Sequence, residues 1–387
     1  MGVQSRLGVV YTDKVVGSDY NRVAGADARL VFGGVYSVQL QAAASRTRAG
    51  PLTATAPLWY ARFLRNGRTF GWRLGADASD PDFRAQSGFF PRPGYSHANV
   101  QPRVTVYGQP GSFLESVTGD VNLDGLYRYG QFATSDGMQE EKMHFNGNVR
   151  LRGGWTAGAS LLVEAFGYPE EVYAGYRLEI AGDTVPFVGQ PKIPNRDYVL
   201  QVATPEFSTF SGNVFVLWGH DENFYEWASG AITLFNAGLD WRPTDQLRFN
   251  GTYQFQRVGR RVDGSTVNVQ HLPRVKAEYQ LSRPIFLRLV GEYASERQDD
   301  LRDNTRTEAP ILIFDPLAGN FVRATAFSTA SFRGDFLFAY QPNPGTVLFA
   351  GYGSTLRDPV NPEEPERTGL HRADDGFFLK VSYLFRM

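Results

Sequence analysis

The residue pattern most suggestive of chemistry is Asp120-Val121-Asn122-Leu123-Asp124-Gly125, which has the oxygen-ligand spacing of a calcium loop. A calcium loop of that kind also needs a bidentate glutamate at its twelfth position and helices on either side. The twelfth position here is Gln131, and the surrounding alternation is that of a strand, so no metal site is expected. The five histidines, His97, His144, His220, His271 and His371, form no HExxH pattern and fall at no metal-ligand spacing. A hydrolase would pair one of them with a serine or a carboxylate. No spacing in the chain selects such a pair, so neither a catalytic residue nor a cofactor is expected. Two acidic runs could bridge divalent ions or lipopolysaccharide: Asp299, Asp300, Asp303 and Glu308, and then Asp358, Glu363, Glu364, Glu366, Asp374 and Asp375. A solvated loop is the expected form of both.

A second set of charges is more informative because it recurs at every other residue. Arg248 and Gln254 alternate with Leu247, Phe249, Tyr253 and Phe255. Arg274, Lys276 and Glu278 alternate with Val275, Ala277 and Tyr279. Arg288, Glu292, Arg333, Asp335, Lys380 and Arg386 follow the same rule in later segments. A period of two is that of a strand with one polar and one apolar face. Facing a dry core, each unpaired charge would cost several kcal/mol. Facing an aqueous lumen, the same charges are at home. These eleven positions are therefore the candidate lumen lining. Trp241, Tyr340, Tyr383 and Phe385 lie near the tight-turn ends of their strands, where aromatic rings favour headgroup depth, and are the candidate membrane-interface girdle.

The elements that must carry these residues follow from the punctuation. The chain has 387 residues, 41 Gly and 14% aromatic residues. Its mean hydropathy is -0.31, and no run approaches the roughly 18 apolar residues of a spanning helix. That excludes a helical membrane protein and leaves a barrel open. Net charge is -1, which implies no nucleic-acid partner. The absence of Cys suits a periplasm-facing product, and a cytosolic one equally. Asn66-Gly67 is the strongest hairpin signal and predicts positive φ at both positions. A polar loop is expected after the first strand, Val3 to Asp13. Further loops are expected over Asp80 to Gly94, His220 to Ser229 and Gln298 to Ala326, and Tyr168 to Pro194 is the least regular part, with room for a short excursion. Connections thus alternate between turns of roughly two to five residues and loops of roughly seven to thirty, the asymmetry of an outer-membrane barrel.

The expected fold is all-β: residues 1–387 form a single domain, a transmembrane antiparallel up-and-down β-barrel of about 18 strands (16–18), with short periplasmic turns and long extracellular loops. The start, Met1 to Asp13, carries no basic stretch followed by an apolar run and reads as a strand under way, so the chain is expected to be a fragment of a longer gene.

Several phrases resemble a family of bacterial outer-membrane proteins whose barrel is a domain of unknown function. They are Leu7 to Asp13 (LGVVYTD), Asn21 to Phe32 (NRVAGADARLVF), Asp82 to Gly94 (DFRAQSGFFPRPG) and Phe377 to Met387 (FFLKVSYLFRM). In that family the barrel usually follows an N-terminal module like the family 9 carbohydrate-binding domains. The resemblance implies a bacterial outer-membrane location, lipid and lipopolysaccharide contacts, recognition of the closing strand by the outer-membrane assembly machinery, and a link to oligosaccharide handling. It supplies no site residue. The function expected is a porin-like channel or scaffold. The alternatives are a TonB-dependent-receptor-like barrel lacking its plug, an outer-membrane hydrolase and a soluble β-sandwich binding module.

Overall fold

The computed structural model describes residues 4–90, 92–358 and 369–384. It is all-β, and among the described residues the strands make one eighteen-stranded antiparallel sheet and one of four strands. The chain divides into two compact units. The first holds Met1–Val149, Ser160–Pro169 and Pro191–Arg196, and the second holds the remainder.

In the first unit β1 (Arg6–Val16), β2 (Asp19–Phe32), β3 (Tyr36–Ala49), β4 (Leu52–Asn66), β5 (Phe70–Ser79), β6 (Tyr95–Tyr107) and β7 (Leu114–Arg128) each pair antiparallel with the next. Then come β8 (Met138–Leu151), β9 (Thr156–Phe166), β10 (Tyr176–Ile180), β11 (Asp183–Pro186) and β12 (Ile193–Ala203), of which β10 and β11 belong to the second unit. The boundaries between the units fall within β8, β9 and β12 and in the connections after β9 and before β12.

The second unit continues with β13 (Phe210–Asn223), β14 (Ala228–Trp241), β15 (Leu247–Arg260), β16 (Thr266–Ser282) and β17 (Ile285–Gln298). It goes on through β18 (Ile311–Asp315), β19 (Asn320–Arg323), β20 (Phe327–Asn343), β21 (Thr346–Arg357) and β22 (His371–Tyr383). Neighbours in sequence pair in order, except that β17 pairs directly with β20. The hairpin β18–β19 left out of that ladder joins β10 and β11 in the small sheet.

Several boundaries depart from the sequence expectation. No polar loop follows the first strand: β1 runs to Val16 and turns on Gly17, whose φ is 62°. Gly50, with φ 60°, makes an equally short turn between β3 and β4. A glycine at positive φ reverses the chain in two residues without steric cost, so no longer connection is required. Asn66-Gly67 does mark a hairpin, but neither residue has positive φ. Asn66 remains in β4, and Gly67 is needed because a Cβ there would lie 2.4 Å from the Phe70 carbonyl oxygen. The expected loop His220 to Ser229 contracts to 224–227, because β13 and β14 stay paired up to Asn223 and Ala228. The segment Gln298 to Ala326 is not bare loop but contains the β18–β19 hairpin.

Candidate functional site: polar faces and the loops folded on them

Period-two alternation places each strand's polar residues on one face, and the register aligns them across strands. In the second unit Arg248 stands opposite Glu278, which stands opposite Arg288. Arg274 is opposite Glu292, which is opposite Arg333. Lys276 is opposite Val290, which is opposite Asp335. Gln254, opposite Leu272, and Lys380, opposite Phe349, share that face. Ten of the eleven charge-ladder positions thus lie together, and Arg386 lies outside the described residues. Several are ion-paired: Arg248 to Asp240 at 2.7 Å, Lys276 to Glu278 at 3.1 Å, Arg333 to Asp335 at 3.0 Å and Arg274 to Glu292 at 3.7 Å. Most of these side chains are partly or fully solvent-exposed, though Asp240 is largely covered, so each pair contributes only about 0–1 kcal/mol. The wall is a wet, mixed-charge surface.

The opposite face is apolar and equally exposed: Leu289 is 57% accessible and Leu379 62%. Trp241 stacks on Phe249 at 5.3 Å, and Tyr340 and Tyr383 lie exposed at the same tight-turn ends; Phe385 is outside the described residues. Sequence reasoning missed the matching cluster in the first unit. There Tyr36 meets Phe32 at 5.6 Å and Phe63 at 6.1 Å, and Trp72 meets Phe63 at 5.8 Å. The signal was available, since these rings flank the turns at Gly33-Gly34 and Gly67.

The first unit's polar face is a hydrogen-bonded lattice. His97 sits between two carboxylates, with Nδ1 2.9 Å from Asp77 and Nε2 2.9 Å from Asp124. Asp120 accepts from Gln101 and Asn146, both at 2.9 Å, and Ser160 donates to Asn146 at 2.7 Å. Asn99 donates to Asn122 at 2.8 Å. The calcium-like phrase therefore lies straight along β7, its oxygens occupied by neighbouring strands. Both His97 nitrogens are engaged, which leaves none free to take a proton from a nucleophile.

Two long connections fold onto these polar faces. In the first unit residues 80–90 lie over β2, β3 and β4. Buried Asn21 holds them: Nδ2 donates to the Arg84 carbonyl at 3.0 Å and to Thr47 Oγ1 at 2.8 Å, while Oδ1 accepts from the Gln86 amide at 2.9 Å. Ser45 Oγ accepts from the Arg84 amide at 3.1 Å. Phe83 is buried on Val23 and Ala56, with Phe90 edge-on at 5.1 Å. Small side chains at Ala43, Ser45 and Ala56 leave room for the loop.

In the second unit the anchor is ionic. Glu226, in the short β13–β14 connection, accepts from Arg260 Nε at 2.9 Å and Nη2 at 2.7 Å, from Asn223 at 3.0 Å, from the Arg302 amide at 3.0 Å and from Asn304 at 2.5 Å. Arg260 also donates to Asp299 at 2.7 Å and to the Asp300 carbonyl at 2.7 Å. Both ends of the Glu226–Arg260 pair are buried. Beside it Trp227 packs against Tyr173 at 5.3 Å and Phe224 at 5.9 Å, and its φ is 51°, uncommon for a bulky residue.

The first acidic run is thus partly structural: Asp303 is buried and accepts from Thr307 at 2.9 Å. Hydrogen bonds from Arg260 hold the Asp299 carboxyl below its ordinary range. Nearby, the Ser265 hydroxyl and amide, followed by Arg302, pull Asp263 down to about 2. Glu363, Glu364 and Glu366 of the second run lie outside the described residues.

No family model matches the chain, and no curated protein matches it. Among solved structures, the siderophore receptor PirA from Acinetobacter baumannii is similar at 8% identity and a TM-score of 0.44, over 97% of this chain and 73% of that one. The FrpB iron transporter from Neisseria meningitidis is similar at 11% identity and 0.46, over 99% and 66%. OmpT, an outer membrane protein of Vibrio cholerae, is similar at 10% and 0.39, over 85% and 92%. At TM-scores under 0.5 these likenesses carry no assignment.

Proposed function

We propose that the chain is a transmembrane β-barrel of the bacterial outer membrane, a porin-like channel or scaffold whose charged face lines a lumen narrowed by inward-folded loops. The observation that carries this reading is the pairing of faces. In both units a wet, charged or amide-rich face backs onto an exposed apolar one. Water suits the first, and only hydrocarbon suits a second face of this extent without a partner sheet. Closure into a barrel removes the unpaired edges that a bilayer would penalise. Refolded protein should migrate differently before and after boiling and give small, discrete conductance steps in planar bilayers. A normal mobility shift without steps would remove the channel and leave the scaffold.

The closing strand serves as the signal for the assembly machinery, so deleting Tyr383 to Met387 should abolish membrane insertion in cells. The amides Gln39, Gln41, Asn99, Gln101 and Asn122 on the first unit's polar face, beside Tyr60, favour a neutral hydroxylated solute such as an oligosaccharide. Liposome swelling with sugars of increasing length tests this, and equal rates for charged and neutral solutes of one size would count against it.

A further inference from the structure

The apolar face of the second unit is interrupted on β16 and β17 by an imidazole and a hydroxyl. That face carries Phe249, Tyr253 and Phe255 on β15, Val275 and His271 on β16, and Leu289, Tyr293 and Ser295 on β17. His271 stands directly opposite Ser295 in the ladder, so their Cβ atoms are about 4.5–5.5 Å apart and the hydroxyl is within reach of the ring. Tyr253 Oη lies 2.8 Å from His271 Nδ1, and Phe255 packs on the imidazole at 5.0 Å. One register step nearer the long-loop end, Arg257 and Arg297 both stand opposite Val269. Arg257 is held by Thr266 Oγ1 at 3.0 Å and the Gly264 carbonyl at 3.2 Å, and Arg297 is exposed. Among the described residues neither guanidinium pairs with a carboxylate.

We propose that Ser295 and His271 are the nucleophile and base of an acyl-ester hydrolase whose substrate is a glycerophospholipid in the leaflet on the long-loop side. The proposal rests on the membrane reading above. An ionisable group on a face given to hydrocarbon is costly and marks function. Arg257 and Arg297 set the height of the phosphate. A step of two residues is roughly 6.6 Å along a strand, about the span from that phosphate to the acyl ester below it, which brings the ester to Ser295. With Nδ1–H donated to the Tyr253 oxygen, Nε2 is left basic. Ser295 Oγ bonds to the ester carbonyl carbon while Nε2 takes its proton. The bond to the glycerol oxygen breaks, and Nε2 returns the proton to that oxygen, which leaves in a lysophospholipid. Water then attacks the acyl-serine by the same route, releasing the fatty acid and restoring the hydroxyl.

The test uses the refolded full-length chain in dodecyl maltoside micelles holding phosphatidylglycerol, with boiling-dependent mobility as the check on folding. Wild type should release lysophosphatidylglycerol and fatty acid in equal amounts, and a fluorophosphonate probe should label Ser295. Ser295→Ala and His271→Gln should keep the mobility shift and lower turnover about a hundredfold or more, and Ser295→Ala should lose the label. Tyr253→Phe should lower kcat about tenfold at unchanged KM, since the tyrosine only positions the imidazole. Arg257→Gln with Arg297→Gln should raise KM for phosphatidylglycerol about tenfold and leave hydrolysis of diacylglycerol, which has no phosphate, unchanged. A wild type that shifts on boiling but yields no lysolipid, or a Ser295→Ala variant with wild-type turnover, overturns the assignment and spares the membrane reading. A wild type without the shift removes both.

Discussion

Both units lay a long connection on a polar face, but they fasten it by different physics. In the first, residues 80–94 are held by a neutral amide, a serine hydroxyl and one buried ring. In the second, the loops converge on a buried carboxylate and guanidinium in direct contact at 2.7 Å. A neutral clamp loses stability in increments as contacts are removed. A buried ion pair loses it in one step, since the survivor is a desolvated charge. The first loop should therefore behave as a graded obstruction and the second as a fixture, intact or released.

The largest effect is expected at the fixture. Glu226→Ala leaves Arg260 buried without its main partner and removes acceptors from Arg302, Asn304 and Asn223, a local loss of about 3–5 kcal/mol. Residues 299–310 should become protease-sensitive while strand content by circular dichroism is retained. Unchanged cleavage would mean that the aromatic cluster around Trp227 alone holds the loops.

At the neutral clamp, Phe83→Ala should release residues 80–94 by about 3 kcal/mol through lost burial, and Asn21→Ala by about 1–3 kcal/mol through two hydrogen bonds to the loop and one to Thr47. If the loop narrows a lumen, unit conductance should rise in that order, Phe83→Ala above Asn21→Ala. Equal conductance in both variants and wild type would show that the loop is not what limits flow.

The smallest effect is the response to acid. The Asp263 carboxyl titrates near 2 in the folded chain against an ordinary 3.8. Its contribution is therefore fully present above about 3.8 and disappears as pH falls from there through 2. Asp299, also held low, acts in the same direction. Trp227 emission should shift over that window, whereas protease access to residues 80–94, which are anchored by neutral groups, should not change. A parallel change in both regions would erase the distinction between the clamps.

The strands and their faces were legible because alternation is written in adjacent residues. Arg274, Lys276 and Glu278 declare one face without reference to anything distant. The turns were located but not shaped: Asn66-Gly67 is a hairpin whose geometry depends on the close approach of the Phe70 carbonyl. The loop anchors were not legible. Asn21 is 63 residues from Arg84, and Glu226 is 78 from Asn304. Each is an ordinary polar residue in a local window. What makes it an anchor is burial, which no periodicity records. The acidic run at Asp299 to Glu308 misled for the same reason, since charge density suggests solvation until a buried arginine is found beneath it.

The short turns at Gly17 and Gly50 have a consequence for engineering. A Cβ at either position would meet nothing within 4 Å. Neither residue touches the clamp over β2–β4, although the Gly50 amide donates to Asp19 at 2.9 Å. A foreign peptide spliced between Gly17 and Ser18, with Asp19 left in place, should be tolerated at the end of the β1–β2 hairpin and leave the Asn21 clamp untouched.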